Sequence, residues 1–297
     1  MIDWLIDPLT YGFTVRAVIE IAVLGAVSGA VGCWVVLYGI SYSAESLAHG
    51  MFPGLVGAAL LGIPLLLGGA AGIILAGLLI ALFGRLTRGR PGNDDAADTA
   101  IAVVVTSLFG LGVLMALSPD SPPGIQALLF GDPLGITDGQ LISTAALGAA
   151  VLALLWLGHD RLLAVGFDNS SGQVAGLSPG LVQAMLLVLV AVTVLIGVQG
   201  LGNLLVAAIL VGPAAAARLL TSRMGSMIGI SVAVAVASGI AGLYLSFHGR
   251  IAAGAAIVIC LVAAWLLAAL FAAVRSRFRR PDSIRKELDH ERIGQLV

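Results

Sequence analysis

The chain is poor in charge, in cysteine and in lysine, and each scarcity excludes a class of protein. Only 10% of its 297 residues are charged, against 59% that are hydrophobic, whereas about a quarter of the residues of a soluble domain are charged. The two cysteines, Cys33 and Cys260, are too few for a disulfide framework or a thiolate metal site, and we interpret each as a small buried hydrophobe. A soluble or disulfide-stabilised protein is therefore excluded.

Two motifs of hydrolytic enzymes are also absent. The single lysine, Lys286, stands outside any G-x-x-x-x-G-K-[ST] loop, in which the lysine contacts the phosphates of a bound nucleotide. The sequence contains no H-E-x-x-H pair, the helical arrangement with which zinc hydrolases bind their metal. We therefore expect no enzymatic activity in this chain. If ATP drives its function, a separate subunit must hydrolyse the ATP.

Long apolar runs are abundant instead. The mean hydropathy is +1.08, and an apolar stretch of about 20 residues is long enough to cross a bilayer as a helix. The pattern predicts an all-α, polytopic integral membrane protein with eight or nine transmembrane helices; the lower number applies if the short second run or the segment 125–130 is re-entrant. The apolar runs cover residues 15–38, 44–62, 65–84, 99–117, 139–158, 180–198, 201–220, 226–247 and 251–274.

The basic residues predict the orientation in the membrane. Most of them lie at alternate ends of the apolar runs, and cytoplasmic loops are enriched in arginine and lysine. The loop 118–124 contains no basic residue and is predicted to lie outside, where Arg250 is an exception. We expect a membrane domain at residues 1–280 and a cytoplasmic, polar C-terminal tail at residues 281–297. The inner side is marked by Arg85, Arg88, Arg90, Arg161, Arg218, Arg223, Arg275, Arg277, Arg279 and Arg280.

Glu45 and His49 are the most informative polar residues, because they lie at the start of a long apolar run. An acidic side chain near the centre of a membrane helix costs roughly 2.5 to 3.5 kcal/mol on insertion scales, so it needs a partner, water or a task. Four residues apart, both side chains project from one face of a helix, as two ligands of one cation must. Pro53 has no N–H to donate to the carbonyl of residue 49, so it predicts a kink and a free oxygen near the pair.

A purely structural interpretation of this pair is equally open from the spacing alone. Ser43 could cap the helix, and Glu45 could interact with the positive end of the helix dipole. His49 would then be a packed core residue. The spacing does not choose between a metal site and these capping and packing roles.

Two further patterns concern helix packing. Arg16 and Glu20 are also four residues apart, and we expect them to neutralise each other, although Glu20 could instead face a pathway. Pro213, inside the seventh run, predicts another kink. Glycines at small-xxx-small spacing let helices approach closely in lipid, within one chain or between two. These glycine pairs are Gly25 and Gly29, Gly68 and Gly72, and Gly225 and Gly229.

The polar segment 167–179 is predicted to contain a short helix of its own. Residues 170–173 fit a capping box, and Gly176 fits a C-terminal stop. Ser178 and Pro179 then fit the cap and the first residue of the next span. This inner helix is either a simple connector or a rigid surface that docks into a partner and transmits movement to the bundle.

Six segments along the chain form a wider pattern. In order they are "SAESLAHGMFPGLVGAALLG", "DTAIAVVVTSLFGLGVLM", "LLFGDPLGIT", "FDNSSGQVAGLSPG", "GLGNLLVAAILVGPAAAARLLTSRMG" and "GLYLSFHGRIAAGAAIVI". They resemble the landmarks of the bacterial metal-ion permeases of ATP-binding cassette (ABC) transporters, which import manganese, zinc or iron(II). The first is similar to that family's Ser-Asp-Ala-x-x-His-x-x-x-Pro-Gly stretch. The resemblance extends from about residue 16 to residue 271.

The resemblance implies a permease subunit of an ABC importer for a divalent transition metal ion, with no permanently bound cofactor besides the transported manganese, zinc or iron. The implied partners are cytoplasmic ATP-binding subunits, an extracytoplasmic metal-binding protein, a second permease copy and membrane lipid, but no nucleic acid. The implied location is the plasma (inner) membrane of a bacterium, crossed several times, with a cytoplasmic C-terminus.

The resemblance also assigns individual residues. It implies that Glu45 and His49 are metal ligands, with glutamate where the family has aspartate. The family tends to have an acidic residue where this chain has Phe-His-Gly-Arg at residues 247–250. His248 could replace it as a further ligand or gate, although Arg250 would repel a divalent cation. The residues implied to couple the permease to the ATP-binding subunits are Phe167, Asp168, Gln173, Ala175 and Gly176.

Two other transporter classes stay open at this point. A siderophore- or corrinoid-type ABC permease would need a wide apolar path without paired metal ligands, so Glu45 and His49 argue against it. A proton-coupled secondary metal transporter could use the same pair, because a carboxylate and a histidine exchange protons as well as bind metal. The segment 167–179 and the resemblance along the chain favour the ABC permease.

Overall fold

The computed structural model describes residues 10–87, 96–119, 122, 124–125, 127–168, 176 and 178–279. Every regular element among these residues is a helix, so the predicted all-α class is confirmed. The helices are α1 (Gly12–Tyr38), α2 (Ser41–Leu61), α3 (Leu65–Thr87), α4 (Ala96–Ala116), α5 (Ala127–Phe130), α6 (Asp138–Leu157), α7 (His159–Phe167), α8 (Pro179–Leu220), α9 (Met224–Gly249) and α10 (Ala253–Arg279).

Five of these helices are long and apolar enough to cross a membrane, namely α1, α6, α8, α9 and the part of α10 from Ala253 to Ser276. Shorter apolar stretches lie in α3 and α4. α2 has 21 residues, but polar side chains in its first half lower its mean hydropathy. Together with the break in α8, the helices agree with the predicted eight or nine spans. The chain is a polytopic membrane protein.

α8 is not one straight helix. Gly202 has φ 76° and ψ 162°, a conformation that glycine adopts readily because it lacks a Cβ atom. Gly197 and Val206 would lie about 13 Å apart along a straight helix, yet a Cβ atom on Gly197 would overlap the Val206 side chain. The chain therefore turns sharply at Gly202, close to the predicted boundary between the sixth and seventh runs. Pro213 lies in the helical part that follows this break.

The segment before α6 packs onto this break. Ile125 and Leu128, at the start of the segment, are buried in the main hydrophobic cluster. A Cβ atom on Gly131 would collide with the carbonyl group of Leu201, so the backbone of this segment lies directly against α8 where it turns. Ile125 and Leu128, which belong to the segment 125–130 for which a re-entrant course is one prediction, and Gly131 after it are thus packed into the bundle.

α1 lies at the centre, where it packs against α6, α8 and α9, whereas α2 packs against α3, α4 and α8. Two of the three glycine pairs explain how closely these helices approach. The first pair, Gly25 and Gly29, packs against α9, and the pair on α3 packs against α2. A Cβ atom added to either member of the third pair, Gly225 and Gly229, would meet no atom within 4 Å. Two of the glycine pairs therefore pack against another helix of the same chain, and the third lies on a helix face that no other helix covers within the described part of the chain.

Three of the arginines that are predicted to mark one side of the membrane do lie on one side of the bundle. Arg218, Arg223 and Arg275 line the same cavity, at the end of α8, the start of α9 and the end of α10. Arg250 follows the opposite end of α9, in a left-handed conformation with φ 51°. The cytoplasmic location of the first side stays a prediction. The predicted tail at residues 281–297 lies outside the described residues.

Candidate functional site

The start of α2 decides against the capping interpretation of Ser43. α2 begins at Ser41, and its cap residue is Ile40, which makes no side-chain hydrogen bond to the helix. Ser43 therefore lies within the first turn, and no acidic residue is present in that turn. Glu45 belongs to the second turn, where the effect of the helix dipole has largely decayed. The presence of Glu45 is thus not explained by helix capping.

Glu45 and His49 face each other on α2. Glu45 Oε1 lies 3.7 Å from His49 Nε2, because the spacing of four residues brings both side chains onto one face of the helix. The Glu45 side chain is 54% exposed, whereas that of His49 is 22% exposed. The carboxylate lies at the surface of the chain, and the imidazole is held deeper among the neighbouring helices.

The imidazole of His49 has neighbours on two other helices. Its Nδ1 lies 3.3 Å from Nδ2 of Asn203 on α8, and its ring packs against Phe109 of α4 at a centroid distance of 4.9 Å. Phe109 packs in turn against Phe52 of α2, at 5.5 Å. These contacts hold the ring so that Nε2 faces Glu45 and Nδ1 faces α8.

Close packing of the helix backbones positions α2. A Cβ atom on Gly54 would collide with the carbonyl oxygen of Gly68 on α3, and one on Gly112 of α4 would lie 2.9 Å from the nitrogen of Pro53. Pro53 is buried inside α2. Because proline has no N–H, its nitrogen needs no polar partner, and α4 can lie directly against it. The pair is therefore carried on a helix that is held firmly from two sides.

His248 lies apart from this pair. It is exposed at the end of α9, its Nδ1 lies 3.0 Å from the carbonyl oxygen of Tyr244, and its ring meets Phe247 edge-on. Within the described part of the chain, no three His, Cys, Asp or Glu side chains form a group that could hold a metal ion. Of the predicted ligands, the structure brings together Glu45 and His49 and does not bring His248 to them.

The predicted ion pair of α1 does not form. Arg16 Nη1 lies 2.9 Å from Asp138 Oδ1 at the start of α6. The buried Glu20 carboxylate accepts a hydrogen bond of 2.9 Å from Thr144 Oγ1, also on α6. α6 packs along α1 and offers each side chain a polar partner. The prediction that Arg16 and Glu20 neutralise each other is therefore wrong.

Part of the predicted coupling segment is described. Phe167 is the last residue of α7 and is 65% exposed, and Asp168 follows it with an extended backbone. Gly176 has φ 75°, a left-handed conformation typical of a helix C-terminal stop. Gln173 and Ala175 lie outside the described residues. The short helix between these points stays a prediction.

Asn203 is the site residue that sequence reasoning missed. It is fully buried, it directly follows the break at Gly202, and it contacts the imidazole of His49. A buried amide is expensive in an apolar run unless it finds a hydrogen-bond partner. An asparagine inside the apolar run 201–220 was therefore a sequence signal that could have marked Asn203 as a candidate site residue.

A bundle of apolar helices that crosses a membrane several times is typical of a transport protein, and the comparison with known families agrees. Residues 10–272 match the profile of the ABC 3 transport family. Because the match covers most of the chain, the chain belongs to this family. It is therefore a membrane component of a transport system.

Individual relatives support the same assignment. The chain is 31% identical over 278 residues to a probable iron transport system membrane protein of Haemophilus influenzae, covering 93% of this chain and 100% of the relative. It is 31% identical to the manganese transport system membrane protein MntB of Synechocystis sp., covering 89% of this chain and 85% of the relative. Its fold is similar to that of PsaBC from Streptococcus pneumoniae, solved in complex with Fab, with a TM-score of 0.82, 29% identity and coverage of 90% of this chain and 95% of the other. The family resemblance of the six segments is confirmed.

Proposed function

We propose that this chain is the permease subunit of an ABC importer for a divalent transition metal ion, and that the ion passes through a site formed by Glu45 and His49. The observation that carries the proposal is the carboxylate–imidazole pair, with 3.7 Å between Oε1 and Nε2. The names of the relatives, which refer to iron and manganese transport, support it. Manganese, iron(II) and zinc are the candidate ions.

The distance between the two groups suits a shared ion. Ligand bonds of about 2.1 Å allow one ion to bridge atoms up to about 4.2 Å apart, and the two ligand atoms are 3.7 Å apart. Mixed oxygen and nitrogen ligands suit manganese, iron(II) and zinc, whereas copper(I) prefers sulfur. Two protein ligands leave further coordination positions for water or for a group from a second permease copy. The accessibility of Glu45 supports such a shared site.

The permease would act with several partners. Cytoplasmic ATP-binding subunits would supply the energy, because this chain has no phosphate-binding loop. An extracytoplasmic binding protein would deliver the metal, and a second permease copy would complete the pathway. Closure of the ATP-binding subunits would then move the helices through the segment 167–176 in an alternating-access cycle. We place the complex in the bacterial plasma membrane, with the C-terminus of this chain in the cytoplasm.

The two alternative transporter classes have less support. A siderophore- or corrinoid-type permease would have no use for a carboxylate and an imidazole facing each other at 3.7 Å. A proton-coupled secondary transporter could use this pair, but the family to which the chain belongs is an ABC transport family.

Uptake of radiolabelled manganese into proteoliposomes that contain the permease, its ATP-binding subunits and the binding protein tests the proposal. Glu45→Gln removes the charge at nearly constant size, and His49→Ala removes the nitrogen ligand. Each change should abolish uptake while the complex still assembles. The double variant should be little worse than either single variant, because the two ligands act as a unit. Glu45→Asp should retain uptake with a changed preference among manganese, iron and zinc, because the carboxylate stays but its reach shortens.

The same assay provides the controls. A role of His248 as a further ligand or gate stays a prediction, and loss of uptake in His248→Ala would support that role. Near-normal uptake by the double variant of Glu45→Gln and His49→Ala would remove the metal site from α2. Both residues would then have structural roles.

The proposed coupling to the ATP-binding subunits has a separate test. Gly176→Val should uncouple ATP hydrolysis from transport but leave assembly intact, because a β-branched residue disfavours the observed φ of 75°. A cysteine at position 167, where the phenylalanine is 65% exposed, should crosslink to the ATP-binding subunit. Crosslinks from a cysteine at Arg218 with none from position 167 would show that the docking surface lies elsewhere.

A further inference from the structure

Asn203 is a buried amide with one paired and one unpaired end. Its side chain is 0% exposed, its Nδ2 lies 3.3 Å from His49 Nδ1, and its Oδ1 has no hydrogen-bond partner among the described residues. Buried polar groups are nearly always paired, and an unpaired one costs free energy. Leucine would fill the same space without this cost. The presence of an amide therefore requires an explanation, and its contact with His49 provides one.

The backbone holds Asn203 firmly beside the pair. It follows Gly202, whose φ of 76° ends the first part of α8. Gly131 packs directly against the carbonyl group of Leu201 on the other side of the break. Groups around a metal site act by holding its ligands in one orientation, which requires that they be fixed themselves. The break and the segment packed on it fix the backbone position of Asn203, so that only its amide group can turn beside His49.

The hydrogen bond between Asn203 and His49 decides which imidazole nitrogen carries the proton. A neutral imidazole has one N–H group and one acceptor nitrogen, so the partner of one nitrogen sets the state of the other. When Asn203 Nδ2 donates to Nδ1, the proton is on Nε2, which faces Glu45 Oε1. An ion bound between Glu45 and Nε2 needs the opposite state, with the proton on Nδ1 and an acceptor beside it.

The amide of Asn203 can form a hydrogen bond with either tautomer of His49. A half-turn about the Cβ–Cγ bond exchanges Nδ2 and Oδ1, and Oδ1 then accepts the proton of His49 Nδ1. The far end of the amide has no partner in the described structure, so no second hydrogen bond locks one orientation. The amide is therefore able to follow the change in the imidazole when an ion arrives.

We propose that Asn203 is a positioning residue of the metal site, whose amide donates to His49 in the empty permease and accepts from His49 when Glu45 and His49 bind an ion. This inference rests on the proposed function, because it gives Asn203 a role toward the same ion. It predicts that binding of the ion reverses the His49 tautomer.

Nitrogen NMR of the full-length permease in lipid nanodiscs tests the tautomer directly. The chain has 4 histidines, and in ¹⁵N-histidine-labelled protein the His49 signal is identified by its loss in His49→Ala. At about pH 8, where histidine is ordinarily neutral, the metal-free protein should show the Nε2–H form and the zinc-bound protein the Nδ1–H form. Metal-free Asn203→Asp should show the Nδ1–H form, because a carboxylate can only accept a hydrogen bond.

Equilibrium binding of zinc to the same nanodiscs measures the consequence. Asn203→Leu leaves the Nδ1–H of a metal-bound ring without an acceptor, and it should weaken zinc binding about 10- to 100-fold. Thr193→Val is the matched control. Thr193 lies on the same helix, is also 0% exposed, and its hydroxyl donates to the carbonyl oxygen of Leu189 at 2.7 Å. The control variant should bind zinc as the wild type does.

The inference and the proposed function fail in different ways. Wild-type zinc affinity in Asn203→Leu, an equal loss in Thr193→Val, or an unchanged Nε2–H form in Asn203→Asp would each overturn the role of Asn203. If Glu45→Gln and His49→Ala still abolish binding in that case, the metal site stands. If those two variants bind zinc normally, the metal site itself is wrong.

Discussion

The two acid–base pairs of α1 and α2 share one spacing and have different surroundings. On α1, Arg16 and Glu20 separate toward partners on α6, and Glu20 is 1% exposed with a hydrogen bond from Thr144. On α2, Glu45 and His49 stay together at 3.7 Å, and the Glu45 side chain is 54% exposed. A spacing of four residues places two side chains on one helix face. It does not decide whether they bind each other, a neighbouring helix or an incoming ion.

The two carboxylates differ most in how far they are exposed. Glu20 has a carboxylate oxygen, Oε2, without a hydrogen-bond partner among the described residues, so the α1 pair is not simply neutralised by packing. That oxygen is buried, whereas the Glu45 side chain is 54% exposed. The neighbours of His49 on the other helices are an aromatic ring and an amide, neither of which carries a charge.

The small-xxx-small glycine pairs differ in the same way, since two are packed and one is open, and substitutions in them should give the largest difference in stability. A Cβ atom on Gly29 would lie 2.9 Å from Val232 Cα, and backbone atoms cannot give way as the end of a side chain can. Gly29→Leu should therefore separate α1 from α9 and lower stability by about 3 kcal/mol, measured by thermal unfolding in detergent. Gly229→Leu, where an added Cβ meets no atom within 4 Å, should change it little. An equal loss in both variants would contradict this comparison.

Features that depend on a few adjacent residues could be predicted from the sequence. The pair on α2 needs one helical turn, and the start of α8 at Ser178 and Pro179 depends on two neighbouring residues. The boundary at Gly202 follows from where one apolar run ends and the next begins. These predictions agree with the structure because local geometry determines them.

Contacts between distant parts of the chain could not be predicted in this way. Asn203 and His49 are 154 positions apart, and Arg16 and Asp138 are 122 positions apart. A single sequence does not indicate which membrane helices lie side by side, because nearly all of them present apolar surfaces. The partner of Arg16 was therefore predicted wrongly, and the contact of Asn203 with His49 was missed.

Glu20 provides a prediction of intermediate size. Glu20→Ala leaves the Thr144 hydroxyl without its acceptor and opens a gap beside Gly200, so it should lower stability by about 1 to 3 kcal/mol. Glu20→Gln keeps the acceptor and should lower stability less. Neither variant should change zinc affinity in the nanodisc assay, because the site on α2 is unaltered. Loss of zinc binding in Glu20→Gln would place Glu20 on the ion pathway.

The smallest effect is expected from the ion pair that replaces the predicted one. The side chains of Arg16 and Asp138 are 39% and 78% exposed, and exposed pairs contribute about 0 to 1 kcal/mol. The start of α6 is held independently by the capping box of Thr137 and Gln140. A double-mutant cycle of Arg16→Ala and Asp138→Ala should give a coupling energy below about 1 kcal/mol that falls as salt is added, with unchanged metal uptake. Thr137→Ala, which removes the cap, should be the more destabilising change at this helix end, by about 1 kcal/mol. A coupling energy above about 2 kcal/mol would mean that the pair is shielded from water, and that the partner of Arg16 matters more to the bundle than its exposure indicates.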